Sequence, residues 1–307
     1  MSNPISRAES ERLLKLATRA SVATAVILII AKLVAYWQTD SVSILASLVD
    51  SLMDAAASII NLLAVAYALA PPDEEHRFGH GKAESLAGMA QATFIAGSGL
   101  FLIVEAIKRL ITPQPIESFS IGMGVMIFSI IATLILLTIQ RHVIAKTNST
   151  AIRADALHYK TDLLTNTAIV IALILSQFGW LGIDPLFALA IAVYILYSSW
   201  EIGAEAIHDL LDHELPDEKR QKIIDIAKSH SDVHGMHDLR TRLSGRTEFI
   251  QMHIELDDDL PLIEAHDIAD QIEDEILKAI PTADVVIHLD PVSAVDLETL
   301  PMFKRTD

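Results

Sequence analysis

Cysteine is absent from the 307 residues. Disulfides and thiolate metal sites are therefore excluded. Any bound metal must be held by imidazole and carboxylate, which suit Zn²⁺, Cd²⁺, Fe²⁺ or Mn²⁺ better than Cu⁺. Basic residues are scarce: 23 Lys and Arg stand against 40 Asp and Glu, for a formal net charge of −17. Residues 209–307 hold 24 of those acids and only 10 of the bases, so −14 of the charge lies there. Such a surface repels nucleic acid and anionic headgroups and favours metal cations and protons, although a solvated acidic face is the plainer alternative. A His-Glu-x-x-His motif is also missing, which removes a membrane zinc protease from consideration. The first apolar run, from near Ala20, is long and lacks a small-residue cleavage site, so it reads as a span rather than a signal peptide.

Apolar residues make up 51% of the chain, and its mean hydropathy is +0.40. The excess lies in the first two thirds, where apolar stretches of membrane-spanning length recur. Their spacing predicts six helices, at 14–37, 41–69, 84–111, 120–141, 152–178 and 185–208. Short connections, Gln38–Asp40 and Gly179–Asp184, make helices 1–2 and 5–6 antiparallel neighbours. Pro71-Pro72 ends the second span, and Pro113 and Pro115 mark the turn after the third. Arg7, Arg12, Lys15, Arg19, Arg77, Lys82, Arg141, Lys146 and Arg153 fall on one side, against Lys108 and Arg109 on the other. The positive-inside rule then places both termini in the cytoplasm. From Pro216 the pattern turns soluble: a helix over 217–230, strands over 236–242 and 248–256 around a Gly245 turn, a helix over 261–280 and a strand over 284–289. The expected organisation is a six-helix transmembrane domain (1–208), an α+β domain of order α-β-β-α-β (209–291) and a flexible tail (292–307).

The informative residues are those that do not belong in lipid. The second span contains Asp50-x-x-x-Asp54, and the fifth contains His158-x-x-x-Asp162. An Asp at a helix centre costs roughly 2.5–3.5 kcal/mol on insertion scales. Residues at i and i+4 share a helix face, so two facing helices offer four ligands, and one His with three carboxylates can form a tetrahedral Zn²⁺ site. Counted along opposed helices, both pairs lie about 14–21 Å below the outer surface. Salt bridges or a proton relay, with Lys32 or Lys160 as partner, are the alternative.

Two further clusters contain histidine. The loop after the second span holds Asp73, His76 and His80, either a three-ligand site or an ordinary polar loop. The soluble domain holds His237 and His253 on successive strands, His266 near the start of its second helix, and His288 with Asp290 at i, i+2 on the last strand. Asp290 is a carboxylate that could bridge two ions.

Four segments carry a family resemblance. They are Ser41-Val-Ser-Ile-Leu-Ala-Ser-Leu-Val-Asp50-Ser-Leu-Met-Asp54, Phe78-Gly-His-Gly-Lys-Ala-Glu84-Ser-Leu, Arg153-Ala-Asp-Ala-Leu-His158-Tyr-Lys-Thr-Asp162 and His237-Asp-Leu-Arg-Thr-Arg242. From about Ser21 to Pro291 the chain resembles the cation diffusion facilitators, most closely their bacterial zinc and iron efflux members. The resemblance implies a homodimer in the bacterial inner membrane, with a metallochaperone-like cytoplasmic domain. It implies a transport site of Asp50, Asp54, His158 and Asp162, and a loop site of Asp73, His76 and His80. It also implies a binuclear site of His237, His253, His266, His288 and Asp290 near the dimer interface. Lys82 and Asp212 match an inter-protomer charge interlock, and Leu157 matches an apolar gate.

The mechanism this implies is alternating access, with protons competing for the same deprotonated ligands, so that an inward proton gradient drives Zn²⁺, Cd²⁺ or Fe²⁺ out. No covalent chemistry is required, and the chain is not expected to be an enzyme. A membrane-bound metal sensor or a metal importer would share most of these features. Asp50 offers a test of selectivity. With Asp50→His, Cd²⁺, which is larger and content with more oxygen ligands, should lose more transport than Zn²⁺. Equal losses in a two-metal competition assay would mean that Asp50 does not tune selectivity.

Overall fold

The computed structural model describes residues 7–39, 42–111, 121–176 and 184–295. The expected turns at Gln38–Asp40, Pro113–Pro115 and Gly179–Asp184, and the tail beyond residue 295, lie wholly or partly outside the described residues. The chain divides into two compact units, Met1–Ile207 and His208–Asp307.

Six long helices precede the soluble pattern: α1 (Arg7–Thr39), α2 (Val42–Ala68), α3 (Lys82–Ile111), α4 (Ile121–Thr147), α5 (Thr150–Ser176) and α6 (Asp184–Leu210). Among the described residues, five of them are long and apolar enough to cross a membrane. The sixth, α5, falls short because Arg153, Asp155, Lys160 and Asp162 interrupt its apolar run. In the first unit α1 packs on α2 and α4, α4 on α5, and α3 on α2 and α5. Leu16, Ile30, Ile60, Leu63, Phe101 and Ile135 stand exposed on the helices, as side chains facing lipid should. The buried interior is correspondingly thin. Ala92, Ile95, Ala154, Leu157, Ile195 and Ile202 form one cluster between α3, α5 and α6.

The α4–α5 connection fixes where the chemistry falls. Asn148 takes a left-handed conformation (φ 49°) and ends α4. Ser149 Oγ then accepts a hydrogen bond from the Ile152 amide at 3.2 Å, capping the start of α5. The two helices meet with only Asn148 and Ser149 between them, and His158 lies a little over two turns into α5.

The second unit contains α7 (Asp217–Ser229), β1 (Gly235–Ser244), β2 (Thr247–Leu256), α8 (Leu262–Ala279) and β3 (Ala283–Pro291), the expected α-β-β-α-β order. Its sheet order is β1-β2-β3, with β1 antiparallel and β3 parallel to β2. A two-residue turn joins β1 to β2, with Gly245 at φ +61°, a conformation glycine adopts without cost. The parallel β2–β3 step needs a crossover, which α8 supplies. One sheet face is apolar: Ile250, Met252, Ile254 and Leu256 alternate along β2 and bury against Ile223 of α7 and Ile268, Ile272 and Ile276 of α8. After β3, Val292–Ala294 form a single 3₁₀ turn. The Ser293 amide donates to Asp258 Oδ1 at 3.0 Å and holds the Asp258 carboxyl below its usual range.

Ile272 is 1% exposed at the centre of this core. Ile272→Ala should cost about 2–5 kcal/mol of the second unit's stability, through lost transfer energy and a residual cavity. Denaturant unfolding followed on that unit measures it. A loss under 1 kcal/mol would mean that the helix does not pack on the sheet as described.

Candidate metal sites

The sheet's second face carries the cytoplasmic cluster. Strand pairing sets His237 opposite His253, and His253 opposite His288. Two residues further along, and so on the same face, Gly235 faces Glu255 and Glu255 faces Asp290. Three histidines therefore form a row across three strands, with two carboxylates in the next row. Asp290 uses both oxygens. Its Oδ2 lies 2.7 Å from His253 Nδ1 and 3.4 Å from His237 Nε2, while Oδ1 lies 3.2 Å from His288 Nε2. His237, His253 and Asp290 bring one potential ligand atom each within 4.8 Å of one another. His288 also lines an open pocket of about 250 Å³ with Asp238, Arg240, Gln251 and His253.

Glu255 is the residue that spacing did not single out. It is buried, and its Oε1 lies 3.1 Å from His237 Nδ1, which orients the ring and leaves Nε2 toward Asp290. A carboxylate behind a ligating imidazole fixes its tautomer and raises its basicity. The signal was in the alternation of β2, which puts Glu255 on the same face as His253. Gly235 makes room for it, since a Cβ there would sit 2.3 Å from Glu255 Oε2. His266 is not brought to this cluster. The apolar stripe of α8 turns Ala265, Ile268 and Ile272 to the sheet. His266, one residue past Ala265, is left 61% exposed beside Asp270, at 3.6 Å. His230 and His234 lie apart, near Gln271 and Asp257.

In the loop between α2 and α3, Asp73 joins both histidines. Its Oδ1 lies 3.2 Å from His76 Nδ1, and its Oδ2 lies 3.2 Å from His80 Nε2. Oδ1 also accepts the His76 and Glu75 backbone amides at 2.6 and 3.0 Å. Chiefly through the His76 amide, these bonds hold the Asp73 carboxyl below its ordinary range, so it stays ionised and available to a cation. His80 is buried, and its Nδ1 has no partner among the described residues.

In the helical unit, α2 and α5 bring Asp54, His158 and Asp162 together, with one ligand atom from each within 4.8 Å of the others. His158 Nε2 lies 2.9 Å from Asp54 Oδ1 and 3.9 Å from Asp162 Oδ2. Asp50 is not in this group. It lies one turn before Asp54 and is exposed, and carboxylates gathered at one level repel one another. The two lysines that might have paired with the acids place their hydrogen bonds elsewhere, although the charge of Lys32 still lies close enough to act on Asp50, Asp54 and Asp162. Lys32 Nζ donates to Ser47 O at 3.0 Å and Ser51 Oγ at 2.6 Å, and Lys160 Nζ donates to the Tyr194 hydroxyl. Leu157, beside His158, is buried against α3 and α6. Lys82 opens α3, and Asp212 accepts from Arg242 Nη1 at 3.3 Å within the second unit.

A helical membrane unit with imidazole and carboxylates gathered in its interior, followed by an acidic α+β unit bearing a His and Asp array, defines a membrane protein equipped for divalent cations. The cation efflux transmembrane domain family matches residues 18–211, and the cation efflux cytoplasmic domain family matches residues 215–292. The chain belongs to the cation efflux, or cation diffusion facilitator, family, whose members are transporters rather than enzymes. It is 55% identical to the cation-efflux pump FieF of Salmonella paratyphi A over 287 residues, covering 94% of this chain and 96% of that one. The FieF protein of Salmonella choleraesuis gives the same identity and coverage. Among solved structures, the metal-bound C-terminal domain of the CzcD transporter from Thermotoga maritima is 31% identical, covering 26% of this chain and 93% of that one, with a TM-score of 0.25.

The geometry of Asp290 generates a test. Zn²⁺ should raise the melting temperature of the cytoplasmic unit, and Asp290→Ala should remove most of that rise, because one carboxylate serves histidines on both sides. His230→Ala and His234→Ala should leave that rise intact. Equal effects from all three substitutions in thermal melts with and without Zn²⁺ would point to scattered surface binding.

Proposed function

We propose that this chain exports divalent metal from the cytoplasm as a proton-coupled antiporter working by alternating access. The observation that carries this reading is the convergence of Asp54, His158 and Asp162 from α2 and α5 inside a membrane-length helical unit. Acids in a medium of low polarity are costly unless they are compensated, and among the described residues no lysine forms an ion pair with these, although the Lys32 charge lies near enough to offset part of the cost. A divalent cation does so directly, and protons do so when the cation leaves. Cation and proton therefore occupy the same ligands in turn, which couples the two fluxes. Zn²⁺ and Cd²⁺, with Fe²⁺ as a third substrate, suit a thiolate-free set of imidazole and carboxylate. Asp50, one turn from Asp54, joins the ligand set in this reading when a cation draws the carboxylates together.

The remaining assignments belong to the same proposal. The protein works as a homodimer in the inner membrane, with both termini cytoplasmic. Asp73, His76 and His80 bind metal at the cytoplasmic end of α2. His237, His253, His288 and Asp290, with His266, hold structural or regulatory ions. Lys82 and Asp212 form a charge interlock between protomers, and Leu157 closes one side of the transport site. Of the two rival readings, an importer differs in the direction of flux, and a sensor would have no need of a site within the spans.

Asp54→Ala and Asp162→Ala should each reduce proton-driven Zn²⁺ flux in proteoliposomes at least a hundredfold at limiting metal, with the dimer intact by sedimentation. Wild-type flux from either variant would remove the site from the transport path. Zn²⁺ moving down into the compartment that stands for the cytoplasm, under the same imposed pH gradient, would favour the importer.

A further inference from the structure

Three residues before His158, α5 carries a carboxylate that the metal cluster does not use. Asp155 has no exposed surface. Its Oδ2 accepts from Ser21 Oγ of α1 at 2.5 Å and from Gln140 Nε2 of α4 at 2.7 Å, and its Oδ1 accepts from Gln91 Nε2 of α3 at 3.2 Å. Neutral side chains from three helices thus converge on one acid of a fourth. Gln140 turns its amino group to Asp155 at the expense of its own Oε1, which is buried with no partner among the described residues. One turn further along α5, the Tyr159 hydroxyl donates to Ser21 O at 3.2 Å and lies 2.9 Å from Ser58 Oγ of α2.

Asp155 and Tyr159 are an i, i+4 pair, as are His158 and Asp162. Offset by three residues, the two pairs occupy neighbouring faces of the same helix. One face is anchored by directional hydrogen bonds and the other meets Asp54. The anchoring acts together with packing. Near this level α5 buries Ile152, Leu157 and Tyr159, but also Ala151, Ala154 and Ala156, which allow close approach and offer shallow ridges against rotation. A rotation of about 20° would carry a ligand atom 5–6 Å from the helix axis through roughly 2 Å. That is about the length of a whole Zn–N bond. A buried acid resists such rotation, because each lost hydrogen bond leaves a charge or a polar group uncompensated in apolar surroundings.

We propose that Asp155 is a positioning residue for transport: its hydrogen bonds to Ser21, Gln91 and Gln140 fix the rotation of α5 and hold His158 and Asp162 at the distance from Asp54 that a divalent cation requires. The proposal rests on the reading of Asp54, His158 and Asp162 as the transport site. It assigns to Ser21, Gln91 and Gln140, on three different helices, a common role in metal affinity although none of them touches the metal ligands.

The test is the dependence of Zn²⁺ flux on Zn²⁺ concentration, using the full-length dimer in proteoliposomes. Asp155→Asn replaces an acceptor with a group that confronts its donors. It should raise KM for Zn²⁺ about 10–100-fold, the usual cost of losing a group that orients metal ligands. Maximal flux per folded dimer should stay within about twofold, whereas general damage to the bundle would lower maximal flux and leave KM alone. The exchange Asp155→Asn with Gln140→Glu restores one acid facing one amide across α4 and α5, and should recover most of the lost affinity. If Asp155→Asn does not assemble, Ser21→Ala and Gln91→Leu each remove one donor and should each raise KM severalfold. A wild-type KM in the folded Asp155 variant, or in both donor variants, overturns the proposal, as does a folded exchange variant with no recovery. Asp162→Ala in the same assay separates the two readings. If it transports normally the site assignment itself fails, whereas loss of flux there together with a wild-type KM in Asp155→Asn rejects the positioning role alone.

Discussion

The structure turns on the cost of keeping ionisable groups away from water. In the helical unit that cost applies to Asp54, Asp155, His158 and Asp162, and it is met in two different ways. Asp155 is surrounded by three neutral donors, a closed arrangement that fixes its carboxyl group in one place. Asp54, His158 and Asp162 have one another and the nearby charge of Lys32, with no neutral donors closed around them as at Asp155, so part of the balance is left for something mobile. A helix carrying both arrangements on adjacent faces is anchored on one side and reactive on the other. The cytoplasmic unit repeats the division on a sheet: one face of β2 is closed by Ile250, Met252 and Ile254, and the other holds His253 and Glu255.

The same cost explains why α5, among the described residues of the six long helices, lacks an apolar stretch long enough to cross a membrane. Its polar residues are tolerated because α1, α3 and α4 surround them, and α5 is correspondingly buried over residues 151–159. The tight α4–α5 connection contributes by bringing Gln140 back onto Asp155 in the first turns of the next helix. The buried polar groups and the short turn cooperate, since neither alone would place His158 opposite Asp54.

Much of this was legible in the sequence because periodicity is a physical record of which face is buried. The long helices appear as apolar runs, and the α-β-β-α-β order follows from alternation and turn residues, with ends within a few residues of 217–230, 236–242, 248–256, 261–280 and 284–289. The pairing of Asp54 with His158 and Asp162 was readable from i, i+4 spacing. What spacing cannot supply is the identity of the neighbour. Asp50 and His266 have the chemistry of ligands, yet the rotation of α2 and the apolar stripe of α8 leave them exposed. Asp155 sits inside a quoted motif without a role, because only tertiary packing reveals that Gln91 and Gln140 reach it from 64 residues upstream and 15 residues upstream. Glu255 was within reach of the alternation argument, but a lone acid on a strand carries no mark of the imidazole behind which it sits.

The histidine row across the cytoplasmic sheet has a consequence for how such a chain can change over time. His237, His253 and His288 share a face only because each lies at a matching parity in its strand. Adding or removing a single residue between the Gly245 turn and His253 would send His253 into the apolar core and bring Ile254 or Met252 out among the remaining ligands. Two residues would restore the face and merely shift the row. Length variation in these strands is therefore confined to steps of two unless a bulge absorbs the odd residue, as the register shift between His237 and Arg240 of β1 does, whereas the loops that join them to α7 and α8 are under no such parity rule.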